Sequence, residues 1–82
     1  MDTFFAQASK FLAEQLDIEI ERITMESSFE EIDADSIDVV EMIMALEDIY
    51  DVEFPEAELE DYPTMGSLVA ALYAFLEREG KI

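Results

Sequence analysis

The chain contains no cysteine and no histidine. It therefore has no disulfide framework, zinc centre, thiol nucleophile or imidazole base. Glycine occurs only at Gly66 and Gly80, and proline only at Pro55 and Pro63. So few breakers mark the chain as mostly helical. Positive charge is scarce: 4 Lys and Arg stand against 22 Asp and Glu, a formal net charge of -18. That balance repels nucleic acid phosphates and disfavours anionic membrane surfaces. The longest apolar run, Leu68 to Leu76, is too short to span a bilayer. The N-terminus carries Asp2 where a leader peptide wants a positive region. The expectation is a cytoplasmic protein that avoids membranes and nucleic acid.

What is present is enough for one small domain over residues 1–82. Apolar residues make up 51% of the chain, so a core can form despite the charge. Like-charged copies repel one another, which predicts a monomer.

Helical spacing of Phe4, Phe5, Ala8, Phe11, Leu12 and Leu16 predicts a first helix from about Thr3 to Leu16. Residues 17 to 34 read as a long loop pinned to the core by Ile18, Ile20, Ile23, Met25, Phe29 and Ile32. Within it, Ser27 with Glu30 or Ser28 with Glu31 resembles a capping box. A second helix is predicted from Asp35 or Ser36 to Tyr50 or Asp51. Pro55 suits the first turn of a short helix to about Asp61. A last helix starts at Pro63 and Thr64, with Thr64 as N-cap and Gly80 as stop. Met65, Leu68, Val69, Leu72, Phe75 and Leu76 form its apolar stripe. The expected fold is all-α: a small four-helix bundle with three longer helices, one short helix and a long first loop.

The second helix carries two apolar faces. At about 100° per residue, Val39, Met42, Ile43, Leu46, Ile49 and Tyr50 share one side, the core stripe. Opposite lie Glu41, Glu47 and Asp48, together with Ile37, Val40 and Met44. Those three apolar residues form a patch at i, i+3 and i+7 on the side expected to face water. An apolar centre with an acidic rim suits docking of a basic partner.

At the head of that helix stands Asp35-Ser36-Ile37-Asp38. Either Asp35 or Ser36 can serve as N-cap. A hydroxyl at this junction is also reachable, and the helix N-terminus favours an attached phosphate. Asp35 and Asp38 would repel a free anion, but a covalently held group needs no such affinity. A calcium loop starting at Asp33 fails, because position 5 is Ile37, position 6 is Asp38 and position 12 is Met44.

Taken in order, Ala13-Glu14-Gln15-Leu16, Ser28-Phe29, Ala34-Asp35-Ser36-Ile37-Asp38, Glu41, Met44-Ala45-Leu46-Glu47 and Glu53-Phe54-Pro55 resemble an acyl carrier protein over nearly the whole chain. The resemblance implies a non-catalytic carrier. In it, Ser36 bears 4'-phosphopantetheine, transferred from coenzyme A by a phosphopantetheinyl transferase. Acyl groups then ride as thioesters on the arm, most naturally in fatty acid biosynthesis. The resemblance also makes the second helix the docking face for the transferase and for acyl-processing synthase enzymes with basic surfaces. Its contacts are Asp35, Ile37, Asp38, Val40, Glu41, Met44, Glu47 and Asp48. An acyl-chain cavity is implied beside Phe29, Leu46, Phe54, Leu59, Tyr62 and Leu68. The chain departs from the family at Ile32-Asp33-Ala34, where Leu-Gly-Ala is common. The loop from Phe29 to Ser36 is one residue shorter, and Ile37 replaces the usual Leu. Bulky Phe54, Leu59 and Tyr62 stand where smaller aliphatic residues are usual, which favours a shorter sheltered chain.

Two rival readings remain at this level. One is a specialised carrier for polyketide, aminoacyl or lipid-modifying chemistry. The other is an unmodified acidic interaction protein, such as a DNA mimic, which has no use for Ser36. In all three readings self-repulsion weakens the fold, and salt screens it. Raising the salt concentration is expected to raise the melting temperature, and a melting curve indifferent to salt would refute the premise.

Overall fold

The apolar spacing and the capping residues produce three α-helices. In the computed structural model, which describes residues 1–82, α1 spans Asp2–Leu16, α2 Ser36–Tyr50 and α3 Met65–Arg78. Single 3-10 turns occur at Ile20–Arg22 and Leu59–Asp61. There is no sheet, only an isolated antiparallel bridge between Ser28 and Thr64. No helix is long and apolar enough to cross a membrane.

The helix ends follow from their sequences. Thr64 caps α3: its Oγ1 accepts from the Ser67 N–H at 3.2 Å, and Ser67 Oγ accepts from the Thr64 N–H at 3.2 Å. At the other end Gly80 takes a left-handed φ of 70°. The Gly80 N–H then reaches Glu77 O and the Lys81 N–H reaches Leu76 O, the two bonds that close a helix this way. Helices α1 and α2 end on left-handed aspartates instead, Asp17 and Asp51. Aspartate tolerates this conformation better than most residues, although its charge opposes the negative end of the helix dipole.

The expected fourth helix over Pro55–Asp61 is not confirmed; that stretch contributes only the 3-10 turn Leu59–Asp61. The physical reasons are local. The Phe54 N–H is held by Glu47 Oε2 at 2.8 Å, which ties the segment entering Pro55 to α2. Glu58, Glu60 and Asp61 would crowd negative charge at the unfavourable end of so short a helix.

One cluster buries the apolar faces. It joins Phe4, Ala8 and Leu12 of α1, Val39, Met42 and Leu46 of α2, and Met65, Leu68, Val69, Leu72 and Leu76 of α3. Phe4 packs its ring near Tyr50 at 5.7 Å and Tyr73 at 5.8 Å, and the Tyr50 hydroxyl donates to Gln7 Oε1 at 2.6 Å. The start of α1 therefore meets the end of α2. Ser9 lies in this core with no partner for its hydroxyl. Ile49, placed on the core stripe by the wheel, is instead 47% exposed. It sits at the stripe's edge in the last turn of α2, where angle alone does not ensure a neighbour.

The long loop is pinned as expected by Ile23, Phe29 and Ile32, which are buried, and by half-buried Ile18. Ile20 and Met25 are exposed, contrary to expectation. Met25 acts through its backbone. Its carbonyl accepts from the Gly66 N–H at 2.8 Å, and the Ser27 carbonyl accepts from the Met65 N–H at 2.8 Å. Loop carbonyls thus satisfy the first free N–H groups of α3. Ser28 and Glu31 form the reciprocal box foreseen for this loop. The Ser28 backbone N–H, and then its hydroxyl, hold the Glu31 carboxyl below the ordinary carboxylate range.

Gly66 makes the loop's close approach possible: a Cβ there would lie 2.6 Å from the Met25 carbonyl oxygen. Gly66→Ala is expected to destabilise the fold by about 1–3 kcal/mol, the usual range for forced overpacking. Urea unfolding checks this, and an unchanged midpoint would show that the contact relaxes freely.

Candidate functional site

The loop from Phe29 to Asp35 delivers the chain to the head of α2. Ile32 is buried, and the Ala34 N–H donates to Phe29 O at 2.9 Å. Between them Asp33 turns the chain with a φ of 59°. This is the position where glycine is common in the resembled family. The left-handed backbone explains that departure, since aspartate can adopt it at modest cost.

Asp35, not Ser36, is the N-cap of α2. Its Oδ1 accepts from the Asp38 N–H at 3.1 Å, and Asp38 Oδ2 accepts from the Asp35 N–H at 3.1 Å. Ser36 is the first residue of the helix proper and is exposed. Because two carboxylates carry out the capping, the serine hydroxyl is not needed for it. An exposed hydroxyl on a rigid helix start can accept a group from an enzyme without disturbing the core.

The face of α2 beyond Ser36 stays outside the cluster. Ile37 is 66% exposed, Val40 50% and Met44 55%. Asp35, Glu41 and Asp48 are exposed around them, while Asp38 and Glu47 are half-buried. Six of the eight residues nominated for docking are exposed, but three of the acids have internal work. Asp35 and Asp38 form the cap, and Glu47 holds the Phe54 amide. Glu41 and Asp48 are the rim carboxylates without such duties.

The six residues nominated as an acyl cavity are not gathered round one space. Phe29 and Leu59 line a groove of about 410 Å³ with Ser28, Ala34 and Pro63. Tyr62 and Leu68 line another of about 140 Å³ with Pro55, Ala57 and Phe75. Leu46 is fully buried, and Phe54 lies at the core margin with its ring 5.6 Å from that of Phe75. By spacing Phe75 belongs to the α3 stripe with Leu68 and Leu72, whereas its pairing with Phe54 is a tertiary fact.

This arrangement has counterparts among known proteins. The model of the phosphopantetheine attachment site family matches residues 9–72, which include the loop, all of α2 and most of α3. The chain is thus a phosphopantetheine-attachment domain. It is 42% identical over 74 residues to an acyl carrier protein of Clostridium acetobutylicum, covering 89% of this chain and 96% of that protein. Acyl carrier proteins from two strains of Clostridium perfringens are each 36% identical over 75 residues, covering 90% of this chain and 99% of theirs. The chain belongs to the acyl carrier protein family. Its members are non-catalytic carriers that bear 4'-phosphopantetheine and work with transferase and synthase enzymes.

The two faces of α2 can be separated by mutation. Met44→Arg is expected to leave helix content and melting temperature nearly unchanged, because the side chain already meets water. Leu46→Ala, fully buried, is expected to cost about 2–5 kcal/mol. Circular dichroism and thermal melts of the two variants test the assignment, and a reversed order would overturn it.

Proposed function

We propose that Ser36 is the attachment point of the phosphopantetheine arm and that residues 1–82 act as one acyl carrier unit in fatty acid biosynthesis. The observation that carries the attachment point is the division of labour at the head of α2. Asp35 and Asp38 cap the helix between them, and Ser36 stands exposed beside them. The residues present fit the group: the hydroxyl is reachable, and the helix N-terminus favours a phosphodiester. When bound, the arm supplies a thiol, which a chain without cysteine lacks. What supports fatty acid synthesis over a specialised pathway is that the relatives span nearly the same length and are named simply as acyl carrier proteins.

The same reading makes α2 the face that meets partners. Ile37, Val40 and Met44 supply apolar contact, and Asp35, Asp38, Glu41, Glu47 and Asp48 attract Lys and Arg on the transferase and the synthase enzymes. A flexible arm then raises the effective concentration of the acyl group at each docked active site. The acyl chain shelters in one of the two separate grooves, beside Phe29 and Leu59 or beside Tyr62 and Leu68. The charge of -18 supports a monomer that keeps away from anionic membranes and nucleic acid, and the absence of cysteine suits a reducing cytoplasm.

Intact mass measured after incubation with coenzyme A and a broad-specificity phosphopantetheinyl transferase tests the attachment point. One phosphopantetheine is expected on the natural chain and none on Ser36→Ala. Modification of the Ser36→Ala chain, or none on a natural chain shown to be folded, would refute it.

A further inference from the structure

With no cysteine, the five methionine thioethers are the only sulfur atoms in the chain. The fold divides them sharply. Met42 is 1% exposed and Met65 is fully buried, whereas Met44 is 55% exposed. Met1 and Met25 are also accessible, but one lies at the N-terminus and the other in the loop against α3. Only Met44 combines access to solvent with a place beside Ile37 and Val40 in the apolar patch of α2.

We infer that Met44 is an oxidation-sensitive position through which peroxide weakens docking on α2; this rests on the reading of that face as the partner surface. In the step, a lone pair on the Met44 sulfur attacks one oxygen of hydrogen peroxide. The O–O bond breaks, an S–O bond forms, and the second oxygen leaves as water after proton transfer. Sulfur is oxidised by two electrons and peroxide is reduced by two. The product is a sulfoxide, a polar group with a strong hydrogen-bond acceptor.

The surroundings make that change consequential for docking and harmless for the fold. Met44 points away from the core, so α2 keeps its buried stripe and its Asp35–Asp38 cap. The neighbouring rim groups Glu41 and Asp48 are carboxylates, which accept hydrogen bonds and donate none when ionised. Ile37 and Val40 offer no donor either. The patch therefore has no side-chain partner for the new oxygen. Covering it with an apolar partner surface strips its water without compensation.

The test uses the full-length chain, treated with hydrogen peroxide and freed of it before assay, with oxidation sites mapped by peptide mass spectrometry. Two readouts are the kcat/KM of the phosphopantetheinyl transferase and the Kd of its complex with the chain. Oxidation of Met44 is expected to worsen both by about tenfold, the scale set by covering one unpaired polar group. Melting temperature stays the same, and methionine sulfoxide reductase restores both values. Met44→Leu, compared with itself before and after peroxide, is expected to show no change, whatever its starting values. An equal loss in Met44→Leu would assign the effect to Met1 or Met25 and overturn the inference. So would full oxidation of Met44 with docking unaltered. An untreated chain that binds the transferase without being modified would sink the Ser36 reading alone, since the Kd still reports docking. An untreated chain that fails to bind would sink the docking face and this inference together.

Discussion

The fold depends on the contact between the long loop and the start of α3. Two backbone hydrogen bonds, to the carbonyls of Met25 and Ser27, satisfy the first N–H groups of that helix. A helix end buried without such partners would be costly. The same contact sets the path of the loop that follows. It holds Ile23 and Phe29 at the core, and the chain arrives at Asp35 in the geometry its cap requires. The glycine at 66 is what lets the two backbones come this close. A loop that would otherwise be an entropic burden becomes the frame of the site.

Charge works against this frame everywhere else. Most of the 22 carboxylates stand on the surface of a small core, and their repulsion favours expansion. The chain offsets some of this by giving particular acids structural work. Asp35 and Asp38 cap a helix, Glu31 pairs with Ser28, and Glu47 anchors the amide of Phe54. Each accepts a backbone N–H, a bond that is stronger when the acceptor is charged. The acids around Ile37, Val40 and Met44 thus serve two ends. Some hold α2 in place, and the rest present its outer face to partners.

Much of this was legible from residue order. The three long helices, the Thr64 cap, the Gly80 stop, the Ser28–Glu31 box and the two faces of α2 follow from spacing and capping chemistry, which are local. The Asp35-Ser36-Ile37-Asp38 segment also declared its options, since both of its first residues can cap a helix. The departure at Asp33 looked like a disturbance of the family pattern. The backbone shows it to be a tolerated stand-in, because what that position demands is a left-handed conformation.

What the sequence determined by itself was the set of periodic apolar faces, the charge, the absence of thiol and imidazole, and the order of motifs around Ser36. Tertiary structure decided the rest. It chose Asp35 over Ser36 as cap, reduced the Pro55–Asp61 helix to one turn, exposed Ile49, paired Phe54 with Phe75 and turned Met25 into a backbone acceptor. The first two turn on contacts close by in the chain, and the last three share one reason. Periodicity fixes the angle at which a side chain leaves its helix, and capping chemistry fixes which residues can end one. Neither says which distant segment lies opposite, and burial, pairing and backbone hydrogen bonding between segments depend on that neighbour.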